Sequence, residues 1–332
     1  MELRRERITT ELLDPRHGFD RIRLPLEIRW DPLTGQSCRM LPEGSLSPPE
    51  PQDLDAQAEQ TRPTCPFCPE HIESMTPRFP PELWPEGRIR CGEALLFPNL
   101  VPYSKWSSVS VYSPQHHLLG LDELTPSLLA DNLMSQVTFA RAVLRHDPSS
   151  QWVSVNANQL PPSGSSIFHP HLQGSANPVR TTVERLLADL GPARLREYVE
   201  LERQDGERLI ASTERIDWVA AFAPVGPAEI RAFVSDAPSP EELDEAAVAE
   251  LADGLSRALV LYDSLGFQSF NFALSGAPAR APRSLLVLRL VGRAYFGPLH
   301  RSDAMWSERL HWEAATDLAP EKVAERGREL FP

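Results

Sequence analysis

The chain has 332 residues, enough for two domains or one two-lobed unit, and its 41% apolar and 24% charged residues supply a sizeable core, which excludes a wholly disordered chain. Its 33 Lys and Arg against 46 Asp and Glu leave a formal net charge of −13, a field that repels phosphate backbones and excludes general nucleic-acid binding, though not one small anion in a local site. No run of 18 apolar residues exists, the charged N-terminus MELRRERITTELLDPRHG has no apolar signal core, and proline (33) outnumbers glycine (17), so the expectation is a cytoplasmic chain with no membrane span, stiff connections and short helices.

Residues 1–40 read as short mixed segments ending in a turn at DPLTGQ, where Asp31, Pro32 and Gly35 supply turn chemistry. Residues 41–64 are rich in Pro, Glu and Gln and read as a mobile loop or linker; residues 65–92 read as irregular. In EALLFPNLVPYSKWSSVSVYSP, two apolar runs of strand length are split by Pro102 and Tyr103, and SSVSVYS alternates with period two. A helix follows, with Thr125 as N-cap and Pro126 in its first turn. WVSVNAN is a strand, a QLPPSGSS loop leads to IFHPHLQGSA, and residues 181–202 read as helical.

The second half repeats this order. IDWVAAFAPVGPAEIRAFVSD reads strand, turn, strand; EELDEAAVAELADGLSRALVLYDSLG is an amphipathic helix with acids in its first turn; SFNFALSGAP and SLLVLRLVG are strands. Two copies of one α+β unit are therefore expected, divided as 1–180 and 181–332. The first copy alone carries His-Pro-His, so one copy is expected to do chemistry and the other to support it.

In an extended segment, residues i, i+2 and i+4 share a face, so His169, His171 and Gln173 converge on one site. Pro170 fixes its own φ and biases His169 toward extended geometry. A neutral imidazole attacking phosphorus, with a Gln amide donating to the phosphoryl group, suits that pattern; two surface histidines in a loop are the alternative. Upstream, Gly164, Ser165 and Ser166 form a small turn with hydroxyls and free N–H groups able to hold phosphate oxygens, and Asn158 offers an amide. Cys65 and Cys68 have the spacing of a zinc knuckle. No second C-x-x-C exists, so two histidines must complete it: His71, His116, His117 and His169 are available. Prolines at 63, 66 and 69 argue against a redox motif.

With these residues in place, the chain resembles the galactose-1-phosphate uridylyltransferase family of the histidine-triad superfamily. DPLTGQS (31–37), CPFC (65–68), FPNLVPY (97–103), SPQH (113–116), the Asn158 strand and GSSIFHPHLQ (164–173) follow that family's order over nearly the whole chain. The resemblance implies an α+β fold of two tandem histidine-triad-like units, each an antiparallel sheet with helices packed on it. It implies His171 as nucleophile, forming a nucleotidyl-histidine, and Gln173 bonded to the transferred phosphoryl group. Asn158, Ser166, Ser165 and Gly164 would hold that group or its loop, with Asn99 near the nucleoside. Cys65, Cys68, His116 and His169 would bind a structural Zn2+, the family spacing favouring His116 over His117. Partners would be a nucleotide sugar and a sugar phosphate, with no nucleic acid and no membrane, and the protein would be a homodimer.

Several positions depart from the family. Ser275, Gly292 and Ala294 stand where it has histidines, so no second metal is expected. Leu100 replaces an acid after Asn99, Ile167-Phe168 replaces Asn-Pro, and Arg39 alone stands near the early arginines. The acceptor is accordingly open. Beside a nucleotidyltransferase stand a phosphorylase or hydrolase of nucleotide sugars or dinucleoside polyphosphates with the same intermediate, and a non-catalytic zinc-stabilised nucleotide-binding protein. The seven tryptophans are expected in the core, His300 and His311 in solvent, and Cys38 and Cys91 as buried thiols.

Overall fold

The computed structural model describes residues 1–46, 50–278, 285–293 and 305–331. The N-terminal stretch forms two long strands, β1 (Arg5–Asp14) and β2 (Asp20–Trp30), paired over ten positions around a turn that Asp14 caps. β1 is exposed along nearly its whole length, whereas β2 is mostly half-buried and alternates, with Ile22, Leu24, Leu26, Ile28 and Trp30 on one face beside Ile8 and Leu12 of β1. β3 (Ser37–Met40) continues the sheet. Beyond it, the expected linker contains α1 (Asp55–Thr61), built of good helix formers and anchored by buried Leu54 and Ala58 against Leu160 and Phe168. The expected irregular stretch contains α2 (Pro69–Met75), whose first residue is a proline that needs no N–H there.

The core architecture follows. β4 (Ile89–Cys91), β5 (Ala94–Pro98) and β6 (Trp106–Val111) lead to α3 (Pro126–His146), capped by the Thr125 side chain, then β7 (Trp152–Gln159) and β8 (His171–Asn177). The segment 181–202 is two helices, α4 (Thr182–Leu190) and α5 (Pro192–Asp205). Gly191 at φ 82° followed by Pro192 stops one helix and starts the next. β9 (Leu209–Ser212), β10 (Ile216–Ala220), β11 (Ile230–Val234), α6 (Glu245–Ser264), β12 (Ser269–Ser275) and β13 (Leu286–Arg293) complete the second half. α7 (Trp306–His311), β14 (Glu313–Thr316) and α8 (Pro320–Leu330) end the described chain.

Among the described residues, β4 to β13 form one ten-stranded antiparallel sheet in the order β4-β5-β6-β8-β7-β12-β13-β11-β10-β9. Each half contributes the same sequence of positions, reversed, and the halves meet where β7 pairs with β12, Asn158 opposite Asn271. A second sheet, β1-β2-β3-β14, pairs β14 with β3 in parallel, so residues from both ends of the chain share it. Leu129, Leu133 and Val137 of α3 and Leu251, Leu255 and Leu259 of α6 share one core with Val155, Leu172, Phe270 and Leu288 on one face of the long sheet. Each such buried side chain contributes about 1.5–3 kcal/mol.

Period two then sends His171, Gln173, Asn156, Asn158 and Asn271 to the opposite face. In the first half, Cys65, Phe67, Cys68 and Ile72 cover that face against Phe97, Val109 and Val111. In the second half α5 covers it, with Leu195 and Tyr198 packed on Phe233, Val287 and Leu33 of the DPLTG turn. Asp31 of that turn is buried and pairs with Arg231 at 2.8 Å, so this motif joins the N-terminal segment to the second half's sheet. Among the described residues, no helix is long and apolar enough to cross a membrane.

Candidate active site and metal centre

His171 is the first residue of β8 and pairs with Val111, while Gln173 pairs with Val109 and Asn156. The Pro170 link leaves His169 just outside the strand, buried, with its ring toward the two cysteines. His169 Nε2–H donates to the Ser113 carbonyl at 2.9 Å, which leaves the Nδ1 lone pair aimed at Cys65 Sγ and Cys68 Sγ, each 3.7 Å away. On the other side, the Thr61 hydroxyl donates to the Ala58 carbonyl at 2.9 Å and accepts from His117 Nε2–H at 2.9 Å. His117 Nδ1 therefore faces Cys68 Sγ at 3.3 Å. The ligand atoms of Cys65, Cys68, His117 and His169 lie within 4.8 Å of one another, and all four residues are buried.

The fourth member is thus His117, a correction to the expected His116. Ser113-Pro114-Gln115-His116 is a turn closed by a bond from His116 N–H to the Ser113 carbonyl. It leaves His116 half-buried at the surface and points the next side chain inward. His71 stays outside the cluster and donates from Nδ1 to the Cys65 carbonyl at 3.1 Å, bracing the C-x-x-C turn.

The donor set fits a metal ion. A tetrahedral ion held at about 2.3 Å from sulfur and 2.0–2.1 Å from nitrogen needs S···N separations of roughly 3.5 Å, and three of the four here are 3.3, 3.7 and 3.7 Å, with all ligand atoms within 4.8 Å. Burial, with Cys65 beside it, pushes the Cys68 thiol up to about 12. Burial pushes His169 down to about 4 and also lowers His117. The imidazoles are held neutral, as ligation requires, and a cation among the sulfurs would reverse the thiol shift.

Beside this centre lies a pocket of about 420 Å³. Asn99 and Asn158 line it, as do Gly164, Ser165 and Ser166 of the loop, and His171 and Gln173 of β8. His171 Nδ1–H donates to the His169 carbonyl at 2.8 Å, and burial lowers its pKa against that bond's opposing effect, so the ring is neutral at pH 7 with its other nitrogen unprotonated. The remaining residues divide by role. Gly164 sits at φ 98°, a conformation glycine adopts without strain. The Ser165 hydroxyl donates to the Ile167 carbonyl (2.7 Å) and accepts from Ile167 N–H (3.2 Å), so it shapes the loop, whereas Ser166 is exposed. Asn99 Oδ1 accepts from Val101 N–H at 3.0 Å and turns the 99–103 loop. Arg39 pairs with Glu313 and is not among the residues lining the pocket, none of which in the described chain is charged.

Residues that the sequence reading did not single out complete the site. Phe67, between the two cysteines, packs edge-on against the His171 ring (centroids 5.4 Å apart) and near His169 (6.0 Å). Its position inside CPFC was the available signal. Thr61 and Ser113 orient the imidazoles, and Asn271 of β12 donates to Asn158 Oδ1 at 2.7 Å; Ser113 opens the SPQH motif, whereas no local motif marks Thr61 or Asn271. Ser275 and Gly292 lie on β12 and β13, while Ala294 and His300 lie outside the described residues. His311 is exposed, Cys38 is buried and Cys91 is half-buried.

No family model matches the chain. An uncharacterized protein of Archaeoglobus fulgidus is 31% identical over 323 residues, covering 92% of each chain. Among solved structures, an ADP-glucose phosphorylase from Arabidopsis thaliana with bound ADP-glucose is similar at a TM-score of 0.68 and 18% identity, covering 92% of this chain and 98% of that one. A GalT-like protein from Arabidopsis thaliana gives 0.67 at 19% identity over 91% and 98% of the two chains, and a uridylyltransferase gives 0.59 at 21% over 91% and 97%. At these identities the likeness to solved structures is one of fold: an α+β fold shared with the GalT-like protein, the ADP-glucose phosphorylase and the uridylyltransferase.

Proposed function

We propose, on the premise that this chain belongs to the family of the Archaeoglobus fulgidus protein and has the galactose-1-phosphate uridylyltransferase fold, that it is a nucleotidyl-transferring enzyme working through a covalent nucleotidyl-His171. The observation that carries this reading is the 2.8 Å bond from His171 Nδ1 to the His169 carbonyl. It fixes one tautomer and gives Nε2 a free lone pair in the pocket shared by Asn158, Ser166 and Gln173.

In the first displacement, Nε2 attacks the phosphorus bearing the nucleoside. A P–N bond forms, the P–O bond to the sugar phosphate breaks, and the sugar phosphate leaves as the anion. In the second, an acceptor oxygen attacks the same phosphorus and the P–N bond breaks, returning neutral His171. Asn158 and Gln173 donate to the non-bridging oxygens through both steps. Cys65, Cys68, His117 and His169 would hold zinc, the ion suited to two thiolates and two imidazoles, which supplies a structural cross-link. The backbone of His169 is thereby anchored two residues from the nucleophile.

A second reading keeps the intermediate and gives phosphate or water as acceptor. Two observations favour it: Ser275 and Gly292 stand in the second half's strands where the family has histidines, and no charged side chain of the described residues lines the pocket to hold a sugar phosphate. Incubation with UDP-glucose and with ADP-glucose, followed by intact mass measurement, tests the common core. Gain of one nucleoside monophosphate is expected from one donor. If all nucleotide donors tried leave the mass unchanged while a nucleotide still binds, the protein is a non-catalytic binder. Product analysis with phosphate, with a sugar phosphate and with neither separates the acceptors.

A further inference from the structure

Asn158 is aimed by two residues of the second half of the chain. Asn271 of β12 donates from Nδ2 to Asn158 Oδ1 at 2.7 Å and to the Ser163 carbonyl at 2.9 Å. Arg293 of β13 donates from Nη1 to Asn271 Oδ1 at 2.9 Å. A primary amide has one acceptor end and one donor end, and the bonding network decides which way each faces. A guanidinium only donates. Arg293 therefore obliges Asn271 to present its oxygen to β13 and its NH2 to β7. That NH2 in turn obliges Asn158 to present its oxygen to Asn271 and its own NH2 to the pocket.

We infer that Arg293 and Asn271 are positioning residues that fix which end of the Asn158 amide faces the transferred phosphoryl group. The inference rests on reading Asn158 as a phosphoryl donor. Orientation decides the sign of the contact. An NH2 stabilises the charge on the phosphoryl oxygens, whereas the amide oxygen would repel it. The second bond from Asn271, to the carbonyl of Ser163, holds the start of the 164–166 loop in the same arrangement. The half without His-Pro-His thereby gains a defined role, because its central strands orient a donor used by the other half. Leu160, buried with φ 66° at the end of β7, is a strained position at that junction, consistent with a loop whose path is over-determined by its neighbours.

The discriminating variant is Asn271→Asp. Its carboxylate keeps size and still accepts from Arg293, but it offers Asn158 an acceptor, so Asn158 turns its NH2 toward β12 and its oxygen toward the pocket. Expected is a fall of roughly 10²-fold in the rate of adduct formation at saturating donor, the scale for one lost oxyanion donor. Asn158→Ala should lose a similar factor, and the double variant should be no slower than the slower single variant, because both act on one contact. Arg293→Met should fall in the same direction and Arg293→Lys should recover much of it. Thermal unfolding run alongside identifies variants that fail to fold. If Asn271→Asp does not fold, Arg293→Met against Arg293→Lys decides.

Wild-type rates in Asn271→Asp or Arg293→Met, or single losses that multiply in the double variant, overturn the inference while adduct formation by the unmodified protein keeps the proposed function. Calorimetry with AMP and UMP covers the converse. If no donor forms an adduct, yet one nucleotide binds and Asn271→Asp and Asn158→Ala weaken it alike, the positioning role stands and the catalytic reading falls. If neither adduct nor nucleotide binding occurs, both fall.

Discussion

The Nδ1 atom of His171 lies 2.8 Å from the backbone carbonyl oxygen of His169. The residue whose ring joins the cysteine cluster thus also sets, through its own backbone, the tautomer of the ring two positions on. His169 sits at a bend ahead of the strand that begins at His171, so the two side chains part company: one toward sulfur, one toward the pocket.

His171→Ala should abolish the nucleotidyl adduct and lower turnover by on the order of 10⁴-fold or more, the scale of removing a nucleophile from a covalent mechanism. Thermal unfolding should change little by comparison, because the variant removes none of the four residues of the metal cluster. Intact mass and steady-state turnover measure both. An adduct persisting in this variant would place the nucleophile elsewhere.

The metal centre separates two adjacent histidines. His117→Ala should lose the bound ion and destabilise the fold, since it removes a buried ligand, whereas His116→Ala should change stability by less than about 0.5 kcal/mol, as for an ordinary surface substitution. Elemental analysis should find one zinc per chain in the unmodified protein and in His116→Ala. Chelation should lower the melting temperature of these two proteins and leave that of His117→Ala where it already lies.

This pair also shows where the sequence stops. Ligand identity at 116 or 117 depends on how the Ser113–His116 turn directs the chain, which the spacing that favoured His116 does not carry. The shared face of His171 and Gln173 is legible because β8 forces it, whereas His169 lies at a bend before that strand and turns to the cysteines, a departure from the expected convergence of all three; the Thr125 cap and the strand–helix order of both halves are legible because local chemistry decides them. The N-terminal hairpin is legible only in part: β2 alternates at Ile22, Leu24, Leu26, Ile28 and Trp30, whereas β1 is exposed along nearly its whole length and carries no clear period. The break at Gly191-Pro192 carries a local signal, since Gly-Pro punctuates a helix, which the reading of 181–202 as helical passes over. Asn271 meets Asn158 across 113 residues of sequence, and only the β7–β12 register brings them together.

The buried network beside the DPLTG turn predicts an acid limb in stability. Burial alone would raise the Glu229 carboxyl, but Arg231 and Arg289 outweigh it and hold the carboxyl at about 2, below the ordinary 4.5. A depressed carboxyl contributes fully above its unfolded value and loses that contribution as pH falls toward its folded value. Urea unfolding should therefore show stability falling between about pH 4.5 and pH 2. Glu229→Gln should cost about 3 kcal/mol at pH 7, as the buried Arg231 and the half-buried Arg289 lose a shared partner, and should flatten that limb. An unchanged slope below pH 4.5 in the variant would assign the acid sensitivity to other groups.

Gly174 tests how tightly β8 holds the catalytic side chains. It follows Gln173 and faces α3, opposite Ser108 on β6. A Cβ added there would overlap both Gln136 Oε1 and Ser108 Oγ, two buried groups bonded to each other at 3.0 Å. Either these side chains turn away and lose that bond, or the strand itself shifts; the buried surroundings of both groups favour the strand shift. Overpacking of this kind costs about 1–3 kcal/mol, and the displacement falls on the residue beside Gln173 and three from His171. Gly174→Ala should accordingly lose both stability and turnover, although it touches nothing in the pocket. Shortening the obstructing side chain should relieve it: Gly174→Ala with Gln136→Ala should recover turnover relative to Gly174→Ala alone. A double variant as slow as the single one would mean that the lost activity comes from something other than the displaced strand.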